Sequence, residues 1–556
     1  MDRNTLLAFF LIAIVLIFTP MYMETFSPSP EPAIVEDTGL DSTHGLPIGK
    51  KPNATKTVKQ KPEVFQLTSP TKADLEEKLI ELETNLYNAT VSTKGGGSIV
   101  SFSFKNYFDQ DSQQVNLING INKENLSIRF QNLDGDPINL GKNWSYNGFL
   151  GGSINSKETL KFSTEISPGQ FITKSLTFRP DSYVIDISVD AQKVQSQVFS
   201  GNYSIGWYGG LPPTEKNEKD DFVYFKSYVF QGGELEEVKI KEGETESQSF
   251  NGSTDWVAIR TKYFITSLVP NNPGQVTSAA IGGSFSDREA YDMELLLPAS
   301  DISNISLYLG PLEYDRIKNI GQDLDRVMNF GIAPVRPLAK GVLWVLKKMH
   351  DIIPNYGYIL ILFAFFVKLL VYPLTKKSYQ STTAMQQIQP EINALKEKHK
   401  NNPQKLNTAT MQLYKEKGVN PLGGCLPMLL QMPLLFALFV VFRTTIELRA
   451  EPFVFWITDL SAPDAVYTLP FSVPIYGSHV AILPVLMVVS MFIQQRMMSG
   501  GAAQQPQQKT MQYFMTGFFF LMFNSFPSGL NLYYTLFNVL TIAQQKLIPP
   551  TDTASV

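Results

Sequence analysis

The chain has 556 residues, with 47 Lys and Arg against 51 Asp and Glu, a net charge of −4 and 44% hydrophobic residues. With no long basic stripe outside its apolar segments, it is not built as a nucleic-acid binder. Its one cysteine, Cys425, excludes an intrachain disulfide, and the length suits a large soluble domain beside a membrane part.

Leu6 to Met23 is an apolar run of 18 broken only by Thr19 and Pro20, with no small-residue cleavage site after it. It predicts an uncleaved transmembrane signal anchor over 1–23. Residues 24–63, rich in Pro, Thr, Lys and Glu without an apolar period, predict a flexible tether. Strand signals dominate 64–325. Ile99 to Phe104 places Val100, Phe102 and Phe104 on one face. Phe171 to Phe178 and Tyr183 to Val189 flank a turn, and Trp256 to Ile259, Tyr263 to Val269 and Ile305 to Leu309 follow. Short strands separated by Gly, Asn, Asp and Pro predict a large antiparallel β-sandwich. The Asn-x-Ser/Thr triplets at Asn53, Asn88, Asn125, Asn143, Asn202, Asn251 and Asn304 read as chance in an Asn-rich domain rather than as glycosylation sites.

Over 331–350, Leu338, Val342, Val345 and Leu346 share a face, with Lys340, Lys347, Lys348 and Trp344 around them. That pattern predicts an amphipathic helix lying in the membrane surface. Apolar segments follow at 357–375, 421–443, 480–496, 511–526 and 530–548. Each is near the roughly 20 residues that cross about 30 Å of hydrocarbon. The loop 376–420 holds eight lysines against three glutamates, whereas 444–479 has Arg449 as its one basic side chain of that kind. The first is therefore expected in the cytoplasm and the second outside. Alternation then places both termini, the loop 497–510 and the tail 549–556 inside, and the sandwich outside. Within 376–420, Ile388, Ile392 and Leu395 share one helical face and Leu406, Thr410 and Leu413 another, broken at Asn401-Asn402-Pro403. A cytoplasmic helical hairpin is expected. The fold class is thus an α-helical membrane bundle of six spans, a large all-β outer domain and a cytoplasmic hairpin.

Lys368 stands inside an apolar span, where a charge costs about 2.5 to 3.5 kcal/mol. Tyr372 and Thr375 fall on its face, and no acidic residue lies in the last five spans. In the last span Asn531, Tyr534, Asn538, Thr541 and Gln545 are spaced 3, 4, 3 and 4, forming one polar stripe. Gln431, Thr516, Ser490 and Gln494 from other spans could join it. Helix–helix hydrogen bonding explains one or two such residues. A cationic polar groove, closed outside and open to the cytoplasm, accounts for all of them together.

Tyr372-Pro-Leu-Thr375, Val419-Asn-Pro-Leu-Gly-Gly-Cys-Leu-Pro427, Leu430-Gln-Met-Pro433, Asp459-Leu-Ser461, Phe526-Pro-Ser-Gly-Leu530 and Tyr533-Tyr534 stand in order over 331–548. They resemble the YidC/Oxa family of membrane protein insertases, and Trp256-Val-Ala258 and Leu309-Gly-Pro311 extend the resemblance outward. The large outer domain is similar to the Gram-negative form. The resemblance implies an inner-membrane location and insertion without enzymatic catalysis. It also implies a groove that takes the hydrophilic part of an incoming chain while its apolar segment slides into lipid. Implied partners are nascent membrane proteins, the lipid bilayer and the Sec translocon, with the ribosome a further candidate by way of the hairpin. The family's usual groove arginine falls on Lys368, which keeps the charge without the planar fork. The tail after Ile548 is short and not basic.

No cofactor or metal is expected, since no P-loop is present and His and Cys are scarce. A secondary transporter using the intramembrane lysine is the rival reading. It calls for repeated halves with interrupted helices, which these spans do not show. A protease reading would use Ser528, which has no paired His or Lys in sequence.

Overall fold

Period-two alternation along Glu158–Ser167, Gln170–Phe178 and Val184–Asp190 places Leu160, Phe162, Ile172, Leu176, Ile185 and Ile187 on inward faces, and all are buried. The computed structural model describes residues 55–56, 75–109, 111–118, 125–285, 288–400, 402–419, 426–473, 476–498 and 506–547. The expected signal anchor, most of the tether, Cys425, the middle of the loop 497–510 and the tail lie outside the described residues.

A nine-stranded antiparallel sheet runs from Glu234–Val238 through Lys226–Gln231, Trp256–Arg260, Phe264–Pro270, Ser303–Pro311, Val184–Asp190, Gln170–Phe178 and Glu158–Ser167 to Ser145–Tyr146. A seven-stranded sheet packs over one end of it, and a five-stranded sheet packs against its middle, where Phe104 stacks on Phe264 at 5.1 Å. Within the tether, Thr55–Lys56 adds an edge strand to the seven-stranded sheet. The expected face of Val100, Phe102 and Phe104 needs correction. Thr90 pairs with Ser101 but Val91 with Ile99, so a β-bulge at Val100 turns Ile99 inward in its place. Asn125 is fully buried and exchanges hydrogen bonds with the Ile99 backbone at 2.7 and 2.8 Å, which leaves no room for a glycan there.

Three glycines, Gly95 to Gly97, turn the chain at the centre of the sandwich, and at Gly96 a Cβ would meet the Trp144 ring at 2.6 Å. Against this turn lies Lys174, wholly buried, donating to the Gly95 and Leu126 carbonyls at 2.8 and 2.6 Å. Burial pushes its ammonium down to about 7. Between that value and the usual lysine range the unfolded chain binds the extra proton, so stability rises with pH from about 7 and is flat below it. The expected result is a denaturant midpoint, followed by ectodomain tryptophan fluorescence, that climbs between pH 7 and 9. Lys174→Met should lose that slope, and a flat parent profile would refute the assignment.

Among the described residues the helices, in chain order, are α1 (Glu218–Phe222), α2 (Tyr314–Ile320), α3 (Arg336–His350), α4 (Tyr356–Gln387), α5 (Gln389–Lys398), α6 (Pro403–Glu416), α7 (Leu426–Thr444), α8 (Leu483–Met498), α9 (Pro506–Phe523) and α10 (Ser528–Leu547). Among the described residues, Tyr356–Lys376 is the one helical stretch both long and apolar enough to cross a membrane alone, with mean hydropathy 2.1. Gln431–Thr444 and Leu483–Met497 are apolar but shorter. Helix α4 continues straight through what the sequence suggests as loop. The helices α5 and α6 then form a small cluster of their own around Ile388, Ile392, Leu413 and Val419. The segment 444–479 is also more ordered than its composition suggests. Ala465–Val473 pairs with Gly477–Ala481 as a hairpin, which delays the start of α8 to Leu483.

Charged contacts fasten the sandwich to the helices. Asp220 on α1 accepts from Lys262 at 2.8 Å and from Arg443, near the end of α7, at 2.7 Å. Burial acts to raise the Asp220 carboxyl, but the two cations outweigh it and hold it down to about 2. Arg449 pairs with Glu215 at 2.7 Å and donates to the Phe108 carbonyl at 2.7 Å. Helix α3 buries Ala339, Val342, Leu343 and Leu346, a stripe rotated from the expected one, since Leu338 is exposed. Its Lys340 and Lys347 reach Asp325 and Asp315 at 3.0 and 2.5 Å instead of standing free.

Candidate functional site

Lys368 sits on α4 facing α10, and α10 packs against both α4 and α8. Its ammonium donates to Thr541 Oγ1 at 2.7 Å and lies 4.5 Å from the centre of the Phe537 ring. The Thr541 hydroxyl in turn donates a hydrogen bond to the Phe537 carbonyl at 2.7 Å, one turn back. One step toward the inner end, Gln544 donates to Thr375 Oγ1 at 3.0 Å. Tyr379, 6.0 Å from the ammonium, bonds to the side chains of Thr541 and Gln545. On the other side of α10, Asn538 donates to Ser490 Oγ of α8 at 3.2 Å. A polar seam therefore runs through the helices, with Lys368, Thr375, Asn538, Thr541 and Gln544 all buried.

Several sequence-predicted residues stand apart from this seam. Tyr372 turns outward and is 42% exposed. The side chains of Gln431 and Thr516 make no hydrogen bond among the described residues, and the Thr516 hydroxyl oxygen is buried. Asn531 donates to the Phe523 and Phe526 carbonyls at 3.1 and 3.4 Å, closing the turn between α9 and α10 at the outer end. Tyr534 is buried with its hydroxyl unbonded among the described residues, as are the Tyr533 hydroxyl, Asn531 Oδ1 and Gln544 Oε1. Ser528 is fully buried and donates to the Asp459 carbonyl at 2.7 Å, which leaves it no role as a nucleophile. Among the described residues no group of three or more His, Cys, Asp or Glu could hold a metal ion.

The family model described as the 60Kd inner membrane protein matches residues 348–553, and that of the YidC periplasmic domain matches residues 79–345. A membrane protein insertase YidC of Chlorobium luteolum is 36% identical over all of this chain and 96% of the relative. This chain belongs to the YidC family of membrane protein insertases. The YidC of Pelodictyon phaeoclathratiforme is 34% identical over the same shares of both chains. A crystal structure of an active YidC insertase with its first transmembrane domain resolved aligns over 96% of this chain and 97% of its own, at 17% identity and a TM-score of 0.35. As a YidC-family insertase the protein is not an enzyme, and it resides in the inner membrane with a periplasmic domain. That periplasmic domain is the sandwich, and the helices carrying the polar seam are the inner-membrane part.

Sequence reasoning missed two members of the polar seam of this YidC-family chain, Tyr379 and Gln544. Tyr379 was findable, because 368, 375 and 379 continue one helical face at spacings of 7 and 4. The apolar run ends before it, so the position reads as loop. Gln544 lies off the single stripe that its helix suggests. It is buried because α10 has packed neighbours on two sides, which widens the arc that must be polar or apolar by contact.

Proposed function

We propose that the polar seam centred on Lys368 is the path along which this insertase passes the hydrophilic part of a nascent membrane protein. The observation that carries the reading is a buried cation hydrogen-bonded to Thr541, beside buried polar atoms on the same helix α10 (Gln544 Oε1 in the seam, the Tyr534 hydroxyl and Asn531 Oδ1 next to it) that have no hydrogen-bond partner among the described residues. Leaving such atoms unmade costs about 1 to 3 kcal/mol each. Water or the polar groups of a passing chain would satisfy them, and either makes the seam a route for polar segments. Lys368 attracts acidic residues of the substrate transiently. The substrate's apolar span then enters lipid, driven by burial worth roughly 25 cal/mol per Å².

The wider assembly follows from the same reading. Six spans, five of them in the insertase core, carry both termini on the cytoplasmic side. The hairpin α5–α6, rich in lysine, meets nascent chains first and is the surface offered to the ribosome. The insertase works alone or together with the Sec translocon. The seam, lined by Lys368, Thr375, Asn538 and Thr541 and continued along α10 by the nearby Tyr534, opens to the cytoplasm. Tyr372, Gln431, Thr516 and Asn531 flank it.

Single cysteines test this directly. In a Cys425→Ser background, Tyr534→Cys and Asn538→Cys should react with a membrane-impermeant maleimide supplied from the cytoplasmic side of inverted vesicles. They should be protected when a stalled single-span substrate is present. Absence of labelling from that side would sink the reading.

A further inference from the structure

Bulky side chains avoid left-handed backbone, where Cβ crowds the following carbonyl oxygen. Phe455 nevertheless has φ +62 and is 89% exposed. The fold thus holds a strained apolar tip outward, flanked by exposed Val454 and Trp456. Its mounting is rigid on both sides. Phe453 donates its N–H to the Ile457 carbonyl at 2.9 Å and stands edge-on to Tyr358, with ring centroids 5.2 Å apart. The Phe453 ring also covers Gly357 so closely that a Cβ there would lie 1.9 Å from it. Asn355, which caps α4, donates to the Pro452 carbonyl at 2.9 Å. Trp456 donates from Nε1 to Asp464 Oδ2 at 2.9 Å, and that same oxygen accepts the N–H groups of Ile482 and Leu483 where α8 begins. The tip is therefore tied to the outer ends of α4 and α8 together.

Backbone strain of this kind persists where the surrounding structure over-determines it, typically at functional contacts. Directly below the tip, α4 exposes Tyr358, Ile361, Leu362, Phe365 and Phe366, an apolar face that starts at the level of Phe453. Aromatic side chains at the end of a lipid-facing span favour the headgroup level. We propose that Val454, Phe455 and Trp456 form a rigid wedge seated at the headgroup–acyl boundary of the outer leaflet, and that this wedge sets the height of α4 in the bilayer. Lys368 lies 12 residues beyond Tyr356. At 1.5 Å per residue that is roughly 18 Å of helix, within a hydrocarbon core of about 30 Å. Pinning the outer end therefore fixes the depth of the cation. The inference rests on α4 being a span with Lys368 as its working centre.

The test uses the full chain in a Cys425→Ser background, with Phe455→Cys carrying an uncharged environment-sensitive fluorophore. It is reconstituted into phosphatidylethanolamine–phosphatidylglycerol vesicles containing lipids with a nitroxide at the headgroup, at a shallow acyl position or at a deep one. Leu150→Cys, on a 94% exposed ectodomain residue, is the reference site. The expected result is blue-shifted emission at 455, quenched most by the shallow acyl nitroxide, and no quenching at 150. Quenching at 455 no stronger than at 150 would assign the tip to water or to a protein partner and overturn the proposal. So would strongest quenching by the deep nitroxide. A second arm compares Phe455→Gly, which relaxes the backbone and removes the ring, with Phe455→Tyr. The glycine variant should accumulate and resist heat at least as well as the parent yet insert a single-span substrate more slowly, while tyrosine restores the rate. Parent-like insertion by Phe455→Gly would remove the role in setting height. Lys368→Glu should keep the quenching pattern while losing insertion. A failure of the groove reading would thus appear in that variant alone, separate from the wedge.

Discussion

Glutamate in place of Lys368 is expected to lower insertion of a single-span substrate about a hundredfold and methionine about tenfold, and arginine to leave it near the parent rate, with each factor of ten worth about 1.4 kcal/mol. Unit charges 4 Å apart attract by roughly 4 kcal/mol at an effective dielectric constant of 20, so a tenfold effect asks for only part of that attraction. Methionine removes it, and glutamate turns it into repulsion. Folding predicts a different order. Methionine keeps the volume of the stem and removes a buried cation that hydrogen-bonds to Thr541. Its protein level should therefore match or exceed the parent's. Glutamate would set a carboxylate against the face of Phe537, where the ammonium now sits 4.5 Å from the ring centre. The measurement is complementation of an insertase-depleted strain, with protease protection of the substrate and immunoblotting of the insertase. A glutamate variant that inserts as well as lysine would remove the electrostatic part of the mechanism. A methionine variant that fails to accumulate would instead make Lys368 a structural residue.

Much of the scaffold was legible because it follows from local periodicity. The strands around Phe162, Leu176 and Ile187 declare themselves by alternation, and α4 by an apolar run with polar residues at helical spacing. Val100 was misplaced because a bulge changes phase by one residue without a sequence signal as clear as a turn. The hairpin Ala465–Val473 with Gly477–Ala481 was missed for a different reason. Its register shifts twice and its side chains Val466, Tyr467 and Phe471 are exposed, so no buried face reveals a period. Lys368 was visible as an anomaly, a charge among apolar residues, while its bond to Thr541 joins positions 173 apart. Asn531 shows the converse limit. Spacing put it on the polar stripe, but its side chain serves the turn between α9 and α10. The pairings of Arg443 and Arg449 with the outer domain could not be inferred at all. Arg449 reads in sequence only as the one Lys or Arg of its loop and Arg443 only as the end of an apolar segment, while their partners Glu215 and Asp220 lie 234 and 223 positions away.

Those pairings carry the largest expected effect on stability. The Arg449 and Glu215 side chains are 4% and 11% exposed, so each has given up most of its water for the other. Removing one partner of such a pair leaves an uncompensated buried charge and costs about 3 to 5 kcal/mol. Arg449→Ala also strips the Phe108 carbonyl of its donor at 2.7 Å and withdraws the guanidinium from the rings of Tyr263 and Phe264. The loss should fall on the contact between outer domain and helices, since each domain keeps its own sheet or helix hydrogen bonds. Arg449→Ala is therefore expected to expose the connection near Asn329 to protease in detergent, at a denaturant concentration where the parent stays intact. Adding Glu215→Gln should recover part of the loss, because it neutralises the stranded carboxylate. Asp220→Asn is the companion case at the second contact, where one carboxylate serves Lys262 and Arg443 and its loss strands two cations at once. If Arg449→Ala left the protease pattern unchanged, the fastening would have to rest on the Asp220 contact and on α3 instead. If the double variant were no better than Arg449→Ala, the penalty would come from lost packing and carbonyl bonds and not from the stranded charge.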